Sequence, residues 1–264
     1  MRSLIITDGC SFTNWNETWA TLLKDTNDLP LINYGKKGNS NDNIVGKFSE
    51  KFERTLSSEN FDNYYIIIQL TGLDRKMING SISPSIGKIF GDDGWKSQIF
   101  NLFGMKNADD GDGGYDWKSY FENEYTPEKH INDLLINVIN LQSYFRSLSN
   151  TECVKYKFIL GWDIFTMADN DQWSNTDRHI NIDSKLIKDQ FESSKKYWDE
   201  IDWDSFWFFE NEKVKYGGIT QWTQYNCEKH SWYRSWDDKH PSYEAHKNFK
   251  EKVVELIIED MKKK

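Results

Sequence analysis

Short apolar runs alternate with amphipathic segments along most of the 264-residue chain. Five of these runs are bounded by turn residues and have the length of buried strands. They span residues 3–7, 31–34, 64–70, 154–160 and 206–209. The continuous hydrophobicity of residues 64–70 indicates burial on both faces, as in a parallel sheet. Because helical segments lie between the runs, the pattern predicts an α/β fold, a three-layer αβα sandwich around a five-stranded parallel sheet.

The helical segments have apolar residues at a period of three to four and recognisable first residues. They cover about 15–23, 40–56, 127–148, 184–198 and 243–261. Asn39 or Ser40 is placed to cap the second helix, Thr126 with Pro127 begins the third, and Ser242 caps the last. In such sheets ligands bind beyond the carboxyl ends of the strands, where we expect Ser11, Gly38 and Asp74.

Residues 76–125 carry Gly, Asp, Ser and aromatic residues without a regular period, which predicts an irregular insertion over the edge or mouth of the sheet. Neither a linker nor an internal repeat divides the sequence. We therefore expect one domain over residues 1–264 that contains this insertion.

Composition narrows the range of functions. The net charge of −9 argues against nucleic acid as the partner, which would need a basic surface. We find no apolar run long enough to span a membrane and no signal peptide, so we expect a cytoplasmic protein. The three cysteines are not spaced for zinc, and we expect neither a metal nor an organic cofactor. The bias toward Ile, Asn, Lys, Asp, Tyr and Phe is typical of an AT-rich genome, such as that of a phage or a marine microbe.

Two segments near the ends of the chain carry candidate chemistry. Ser11 follows Gly9-Cys10 at the turn where the first strand ends, and Asp237-x-x-His240 lies in a loop before the last helix. An imidazole can deprotonate a serine hydroxyl while a carboxylate holds the imidazole tautomer. Ser11, His240 and Asp237 are therefore a candidate catalytic triad.

These segments resemble the motifs of the SGNH (GDSL-type) hydrolase family. The matching positions are Gly9-Cys10-Ser11, Gly38-Asn39-Ser40-Asn41, Gly72-Leu73-Asp74-Arg75 and Asp237-x-x-His240-Pro241-Ser242. The resemblance implies a flavodoxin-like fold, Ser11 as nucleophile and His240 as base. It also implies an oxyanion hole formed by the Ser11 and Gly38 N–H groups and the side chain at position 74.

Two positions depart from the family pattern. Cys10 replaces an Asp that is not a triad member, and Asp74 replaces the Asn whose amide completes the oxyanion hole. A missing donor of this kind costs on the order of 10²–10³ in rate. Asp74 would have to be protonated to act, or Thr71, Arg75 or a residue of the insertion would have to donate instead.

Several residues have alternative interpretations. Cys10 is a second candidate nucleophile, and His230 or His246 could replace His240 as the base. His130 and His179 have no visible partner in the sequence. The acidic segment 109–114 matches a calcium loop only loosely, and a flexible loop fits it better. The many Trp residues of the C-terminal half either rim a sugar-binding cleft or pack against the sheet; they are Trp162, Trp173, Trp203, Trp207, Trp222, Trp232 and Trp236.

The resemblance implies a serine esterase that acts on a small-molecule or glycan ester, with Asn39, Arg75 and Trp236 as candidate substrate-binding residues. A catalytically silent binding module and an acyltransferase with the same triad are the alternatives. The sequence does not indicate the oligomeric state.

Overall fold

We describe the protein from a computed structural model of the whole chain. The structure describes residues 2–25, 29–58, 60–73, 76–78, 81–82, 90–91, 94–95, 120, 123–124, 126–148, 153–166, 186–235, 238 and 240–263.

A parallel sheet of four strands lies at the centre of the described structure, which confirms the α/β class. The strands are β1 (Ser3–Asp8), β2 (Leu31–Asn33), β3 (Asn63–Leu70) and β8 (Cys153–Leu160), in the spatial order β2-β1-β3-β8. Every residue of β3 is buried, as its unbroken hydrophobicity predicts. The register pairs Asp8 with Ile68 and Ile68 with Phe158, so three strands end at the same edge.

Helices pack against this sheet through aromatic residues. In chain order they are α1 (Trp19–Leu22), α2 (Asn41–Ile44), α3 (Phe48–Ser58), α4 (Pro127–Leu148), α5 (Ile187–Gln190), α6 (Glu192–Glu200), α7 (Ile219–Asn226), α8 (Tyr243–Phe249) and α9 (Glu255–Lys263). Phe52 of α3 meets the ring of Tyr64 in β3, and Phe145 of α4 meets that of Tyr156 in β8. Helix α9 packs near β8, and α1 packs against α8.

A regular fifth strand is not formed in the described residues, which corrects the prediction of five. Residues 206–209 do run beside β8, but their only parallel pairing is a bridge between Phe206 and Phe158. The Trp207 N–H donates to the Phe158 carbonyl at 2.8 Å, and Phe209 then pairs with Gly217 instead. The apolar run is real, but it turns away from the sheet after one residue pair.

Three predicted helices differ in their boundaries; the one predicted at 184–198 is divided at Phe191 into α5 and α6 and continues to Glu200. The first begins at Trp19, because Thr18 accepts a hydrogen bond from the Thr21 N–H and so caps it. The second predicted helix is split into α2 and α3 by a turn at residues 45–47. The last begins as predicted, with the Ser242 hydroxyl accepting from the Ala245 N–H at 3.1 Å, and continues through a π-helical turn at Lys250–Val254.

The predicted insertion at 76–125 lies largely outside the described residues. Its described parts form two small antiparallel pairs, β4 (Met77–Ile78) with β5 (Ser81–Ile82) and β6 (Phe90–Gly91) with β7 (Gly94–Trp95). Lys76 anchors its start, because its ammonium lies 3.0 Å from Asp42 of α2 and 2.6 Å from Asp133 of α4. Among the described helices, none has the length and apolar character needed to cross a membrane.

Candidate active site

Ser11 lies on a tight turn immediately after β1. The carbonyl of Cys10 accepts from the N–H groups of Thr13 and Asn14, each at 3.0 Å, so the chain reverses around Ser11. The Thr13 hydroxyl reaches across to the Gln69 side chain of β3 at 2.7 Å. The turn is therefore fixed to the central strand, with Ser11 at the carboxyl end of the sheet and almost fully buried.

A buried ion pair holds the start of this turn. The carboxylate of Asp8 accepts from the Gly9 N–H at 2.7 Å and from the Lys51 ammonium of α3 at 2.7 Å. Burial raises the pKa of Asp8 to about 6, although Lys51 and the Gly9 N–H oppose the shift. Lys51 also donates to the Asn43 carbonyl, which ties the turn to α2.

The loop after β2 lies against the same turn. The Lys36 N–H donates to the Gly9 carbonyl at 3.1 Å. Residues 36–39 form a turn closed by the Asn39 N–H and the Lys36 carbonyl, and Gly38 takes its third position with φ of 71°, as a type II turn requires. Gly38 is exposed at the tip of this turn.

Asn39 was predicted to bind substrate, but its side chain is fully buried. It donates to the Gly9 carbonyl at 3.2 Å and accepts from Asn43 at 2.7 Å. Its contacts hold the Gly38 loop against the Ser11 turn. Nearby, the Asn41 amide bonds both the N–H and the carbonyl of Thr71, which joins this loop to the end of β3.

His240 lies at the end of a short hairpin that precedes α8. Tyr233 pairs with Pro241, and the Arg234 N–H donates to the His240 carbonyl at 3.0 Å. The Arg234 guanidinium donates to the Asn16 carbonyl at 3.1 Å, which fastens the hairpin to the segment after Ser11. These backbone contacts bring the two ends of the chain to one place.

The imidazole of His240 bridges a serine and a carboxylate. Its Nε2 lies 2.7 Å from the Ser11 Oγ, and its Nδ1 lies 2.5 Å from the Asp238 Oδ1. Partial burial tends to raise the pKa of Asp238, but hydrogen bonds from the His240 backbone and ring outweigh it and lower that pKa. The ionised carboxylate holds the proton on Nδ1, so Nε2 is left to accept the Ser11 proton.

Among the described residues, Asp238 is the carboxylate in contact with His240; the predicted Asp237 lies outside the described residues. Asp238 is well placed for this contact, because an Asp side chain readily bonds the backbone N–H two residues later. The Asp238 Oδ1 accepts from the His240 N–H at 3.0 Å as well as from the ring. This double contact fixes the orientation of the imidazole.

Two aromatic side chains form the walls around the imidazole. The rings of Phe12 and Trp15 each have their centroid 5.3 Å from that of His240. Two cations lie over the Trp15 ring, the Lys37 ammonium at 3.7 Å and the Arg234 guanidinium at 4.7 Å from its centroid. The mouth of the site is thus aromatic and positively charged.

The predicted oxyanion hole is described only in part. Among the described residues, the N–H groups of Ser11 and Gly38 have no hydrogen-bond partner in the protein, so both can donate to a ligand. Asp74 and Arg75 lie outside the described residues, as does Trp236. The hydroxyl of Thr71, the alternative donor, is buried and has no partner within the described structure.

The other candidate nucleophile and bases do not reach the Ser11 hydroxyl. Cys10 is buried, and its sulfur accepts from the Gln69 amide at 3.2 Å. His230 is exposed on a separate turn. His246 is fully buried in α8 with its ring 6.3 Å from that of Phe12, and burial lowers its pKa to about 3.

His130, for which the sequence suggested no partner, has at least two among the described residues. Its Nδ1 contacts the Leu73 carbonyl at 2.6 Å and its Nε2 the Tyr120 hydroxyl at 2.9 Å. Burial lowers the pKa of His130 to about 4. It therefore acts as a buried link between α4 and the segment after β3. His179 lies outside the described residues.

The described tryptophans of the C-terminal half differ in burial. Trp162, Trp222 and Trp232 are buried, whereas Trp203 and Trp207 are half-buried. The half-buried pair lines an open cavity of about 470 Å³ at the edge of the sheet beside β8. The full lining comprises Trp198, Trp203, Asp204, Phe206, Trp207, Phe208, Glu210 and Tyr216. Trp173 and the acidic segment 109–114 are not described.

Sequence reasoning missed four residues at the site: Asp238, Trp15, Lys37 and Arg234. The signal for Trp15 was the Thr18-x-x-Thr21 spacing, which starts the helix after it and leaves Trp15 in a loop. Nothing in the sequence marks Lys37 or Arg234, because their proximity depends on the folded loops. Within the described part of the chain, no group of three or more His, Cys, Asp or Glu side chains is arranged to hold a metal ion.

Comparisons with known proteins give no family assignment. No model of a known protein family matches this sequence, and no curated protein matches it significantly. The resemblance to SGNH hydrolases therefore depends on the motifs and on the geometry described above.

Proposed function

We propose that this protein is a serine ester hydrolase with an SGNH-type three-layer fold, acting on esters of carbohydrates or of small acyl groups. The observation that carries the proposal is the continuous contact from Asp238 through His240 to Ser11. A hydrogen bond of 2.7 Å between serine and imidazole is within the range for direct proton transfer.

In the first step Ser11 attacks the ester carbonyl. Its Oγ forms a bond to the carbonyl carbon while its proton passes to the His240 Nε2. The tetrahedral intermediate then collapses, and the imidazolium returns the proton to the leaving alcohol. Asp238 stabilises the positive charge that forms on His240, and the acyl group remains on Ser11.

In the second step water releases the acyl group. His240 takes a proton from water, the hydroxyl adds to the acyl carbon, and the Ser11 oxygen leaves with the proton returned by His240. In both steps the carbonyl oxygen becomes negative. The N–H groups of Ser11 and Gly38 are the proposed donors for that charge, since neither has a protein partner in the described structure.

The aromatic cavity beside β8 offers a surface suited to a carbohydrate, although no described residue of the Ser11 site lines it. Half-exposed indole rings offer flat apolar faces, and the carboxylates of Asp204 and Glu210 offer hydroxyl acceptors. A sugar has apolar C–H faces that can pack on the indole rings and hydroxyl groups that can donate to the carboxylates. Small acyl esters without a sugar are equally compatible with the Ser11 site itself.

The test is active-site labelling together with ester hydrolysis. Purified protein would be treated with a fluorophosphonate probe and assayed on p-nitrophenyl acetate. We expect both signals in the wild type and in Cys10→Ala, and neither in Ser11→Ala or His240→Ala. Labelling that survives in Ser11→Ala but disappears in Cys10→Ala would assign the reaction to the thiol.

The two alternatives give different results in the same experiment. A catalytically silent binding module would show no labelling of the folded wild type. An acyltransferase would be labelled, but in the presence of a sugar it would form the acylated sugar in preference to free acetate, which mass spectrometry distinguishes. Release of acetate from acetylated glycans would identify the substrate class.

A further inference from the structure

The surroundings of Trp15 suggest what the substrate carries in addition to its ester. Trp15 is half-buried and lies directly beside the imidazole of His240, with the ring centroids 5.3 Å apart. Lys37 and Arg234 place their cationic groups 3.7 Å and 4.7 Å from the same indole centroid. Both separations are within the range of a cation–π contact.

These two cations lack carboxylate partners among the described residues. Arg234 donates instead to the Asn16 carbonyl, and Lys37 extends from the exposed turn at Gly38. The chain has 42 acidic and 33 basic residues, so carboxylates are abundant elsewhere. Two positive charges at one ring add up to a local positive potential in an otherwise acidic protein.

The described neighbouring charges offset this potential only in part. Lys36 adds a third exposed cation next to Lys37. Asp238 is close enough for Arg234 to help lower its pKa, but its hydrogen bonds are made with the ring and backbone of His240. Glu17 is exposed on the loop after Trp15 and makes no ion pair with a described residue.

The charges also lie at a useful distance from the reacting atoms. The contacts through Trp15 place both cations within about 10 Å of the His240 ring centre. An anion about one small substituent away from the ester carbonyl could thus contact both cations directly, at separations well below the Debye length of about 8 Å at physiological ionic strength.

Building on the proposed esterase function, we propose that Lys37 and Arg234 select esters that carry an anionic group, such as a carboxylate, sulfate or phosphate. The anion binds the ammonium and the guanidinium at the Trp15 ring while the ester carbonyl lies at Ser11. Arg234 and Lys37 are specificity-determining residues, and neither takes part in proton transfer.

The test uses two pairs of esters that differ in charge. Mono-4-nitrophenyl glutarate and 4-nitrophenyl butyrate place the difference on the acyl side; 4-acetoxybenzoate and its methyl ester place it on the alcohol side. We expect kcat/KM to favour the anionic member of at least one pair by about tenfold at low salt and to lose most of that preference in 0.5 M NaCl. The pair that shows the preference identifies the side that carries the anion, and a phosphate or sulfate in place of the carboxylate separates the anion types.

Substitutions of the two cations distinguish an effect of their charge from an effect on folding. Lys37→Gln should lower the preference about threefold or more and leave the neutral ester unaffected. Arg234→Gln should lower the preference to a similar extent, and because it also removes the hydrogen bond that holds the His240 hairpin to the Asn16 carbonyl, it should lower kcat on both esters. Arg234→Lys should retain most of the preference. Lys47→Gln, which alters an exposed lysine paired with Glu50, is the matched control. Because Lys37 is exposed, its variant should fold even if Arg234→Gln does not.

Equal kcat/KM for both members of each pair at low salt would overturn the anion preference and leave the esterase proposal intact. A preference that persists unchanged in Lys37→Gln and Arg234→Gln would also overturn it. If no ester is hydrolysed and the probe does not label Ser11, the proposed function fails, and this inference fails with it.

Discussion

The Ser11 hydroxyl lies 2.7 Å from the His240 Nε2, although 229 positions of sequence separate the two residues. Hydrogen bonds in the loops on both sides hold the two residues in position. Ser11 is held by a turn that is bonded to β3, and His240 ends a hairpin that is bonded to the Asn16 carbonyl through Arg234. Catalysis by this pair therefore depends on the two loops keeping their relative position.

Substitution of Asp238 should impair catalysis far more than substitution of Asp237. Asp238→Asn removes the charge that fixes the proton on the His240 Nδ1, so we expect kcat to fall by about 10²–10⁴. Because Asp238 is the carboxylate found against the imidazole, Asp237→Asn should change kcat less than about threefold. Steady-state kinetics on p-nitrophenyl acetate would measure both. A larger loss of kcat in Asp237→Asn than in Asp238→Asn would instead identify Asp237 as the triad carboxylate.

The central features of the fold follow from local sequence patterns. The unbroken apolar run of β3 can only be buried on both faces, and the Ser242 hydroxyl caps the helix that begins beside it. A strand that leads into a tight Gly-containing turn leaves Ser11 at the carboxyl edge of the sheet. These predictions need only the short-range preferences of the backbone and the requirement for burial.

Removal of one partner from the buried pair of Asp8 and Lys51 should strongly destabilise the protein. Lys51→Met leaves the fully buried Asp8 carboxyl without its cation, and breaking such a pair costs about 3 kcal/mol. Asp8 also accepts from the Gly9 N–H at the start of the Ser11 turn, so Lys51→Met should loosen that turn. We therefore expect the variant to show reduced labelling of Ser11 near its unfolding temperature. Lys47→Met, at an exposed pair with Glu50, should cost less than about 1 kcal/mol in the same urea titration. Equal effects of the two substitutions would mean that burial of Asp8 does not matter.

Acid should destabilise the protein through His246. Its folded pKa of about 3 lies below the ordinary value of 6.5, so the unfolded chain binds more protons between these values and stability falls as the pH falls. Between pH 6.5 and 4.5 this residue alone accounts for a loss on the order of 2 kcal/mol. Asp8 acts in the opposite direction, because its pKa is raised to about 6 and its folded form gains protons below that pH.

The variant His246→Leu isolates this effect. Its unfolding free energy should differ from that of the wild type by an amount that depends on pH, with the difference shifting in favour of the variant on acidification. Comparing each protein with itself at pH 7 and pH 4.5 cancels the constant packing cost of the substitution. Parallel pH profiles for the two proteins would show that His246 does not titrate in the folded state as described.

The features that sequence could not provide arise from contacts between loops. Asp237 and Asp238 are adjacent in the sequence, and the contact of Asp238 with His240 depends on the hairpin that joins Arg234 to His240. Trp15 lies in a loop and not in a helix, because the cap at Thr18 competes with an apolar pattern that would extend the helix backward. The apolar run at 206–209 satisfies a strand pattern, yet the pairing of Phe209 with Gly217 draws it away from the sheet.

A side chain at Gly9 should disturb the Ser11 turn. A Cβ there would lie 2.2 Å from the Thr13 Oγ1 and 3.0 Å from the Gln69 Cβ. Thr13 would have to rotate and lose its buried hydrogen bond, or the turn would have to move, and we expect Gly9→Ala to cost about 2–3 kcal/mol and to lower kcat.

Gly38→Ala is the matched control for stability: its added Cβ meets nothing within 4 Å, and only the positive φ of 71° opposes it, at a cost of about 1 kcal/mol. Chemical denaturation and steady-state kinetics on both variants measure the difference. A larger loss of stability in Gly38→Ala than in Gly9→Ala would contradict the close packing of the turn against β3, and with it the reason that Ser11 is held at His240.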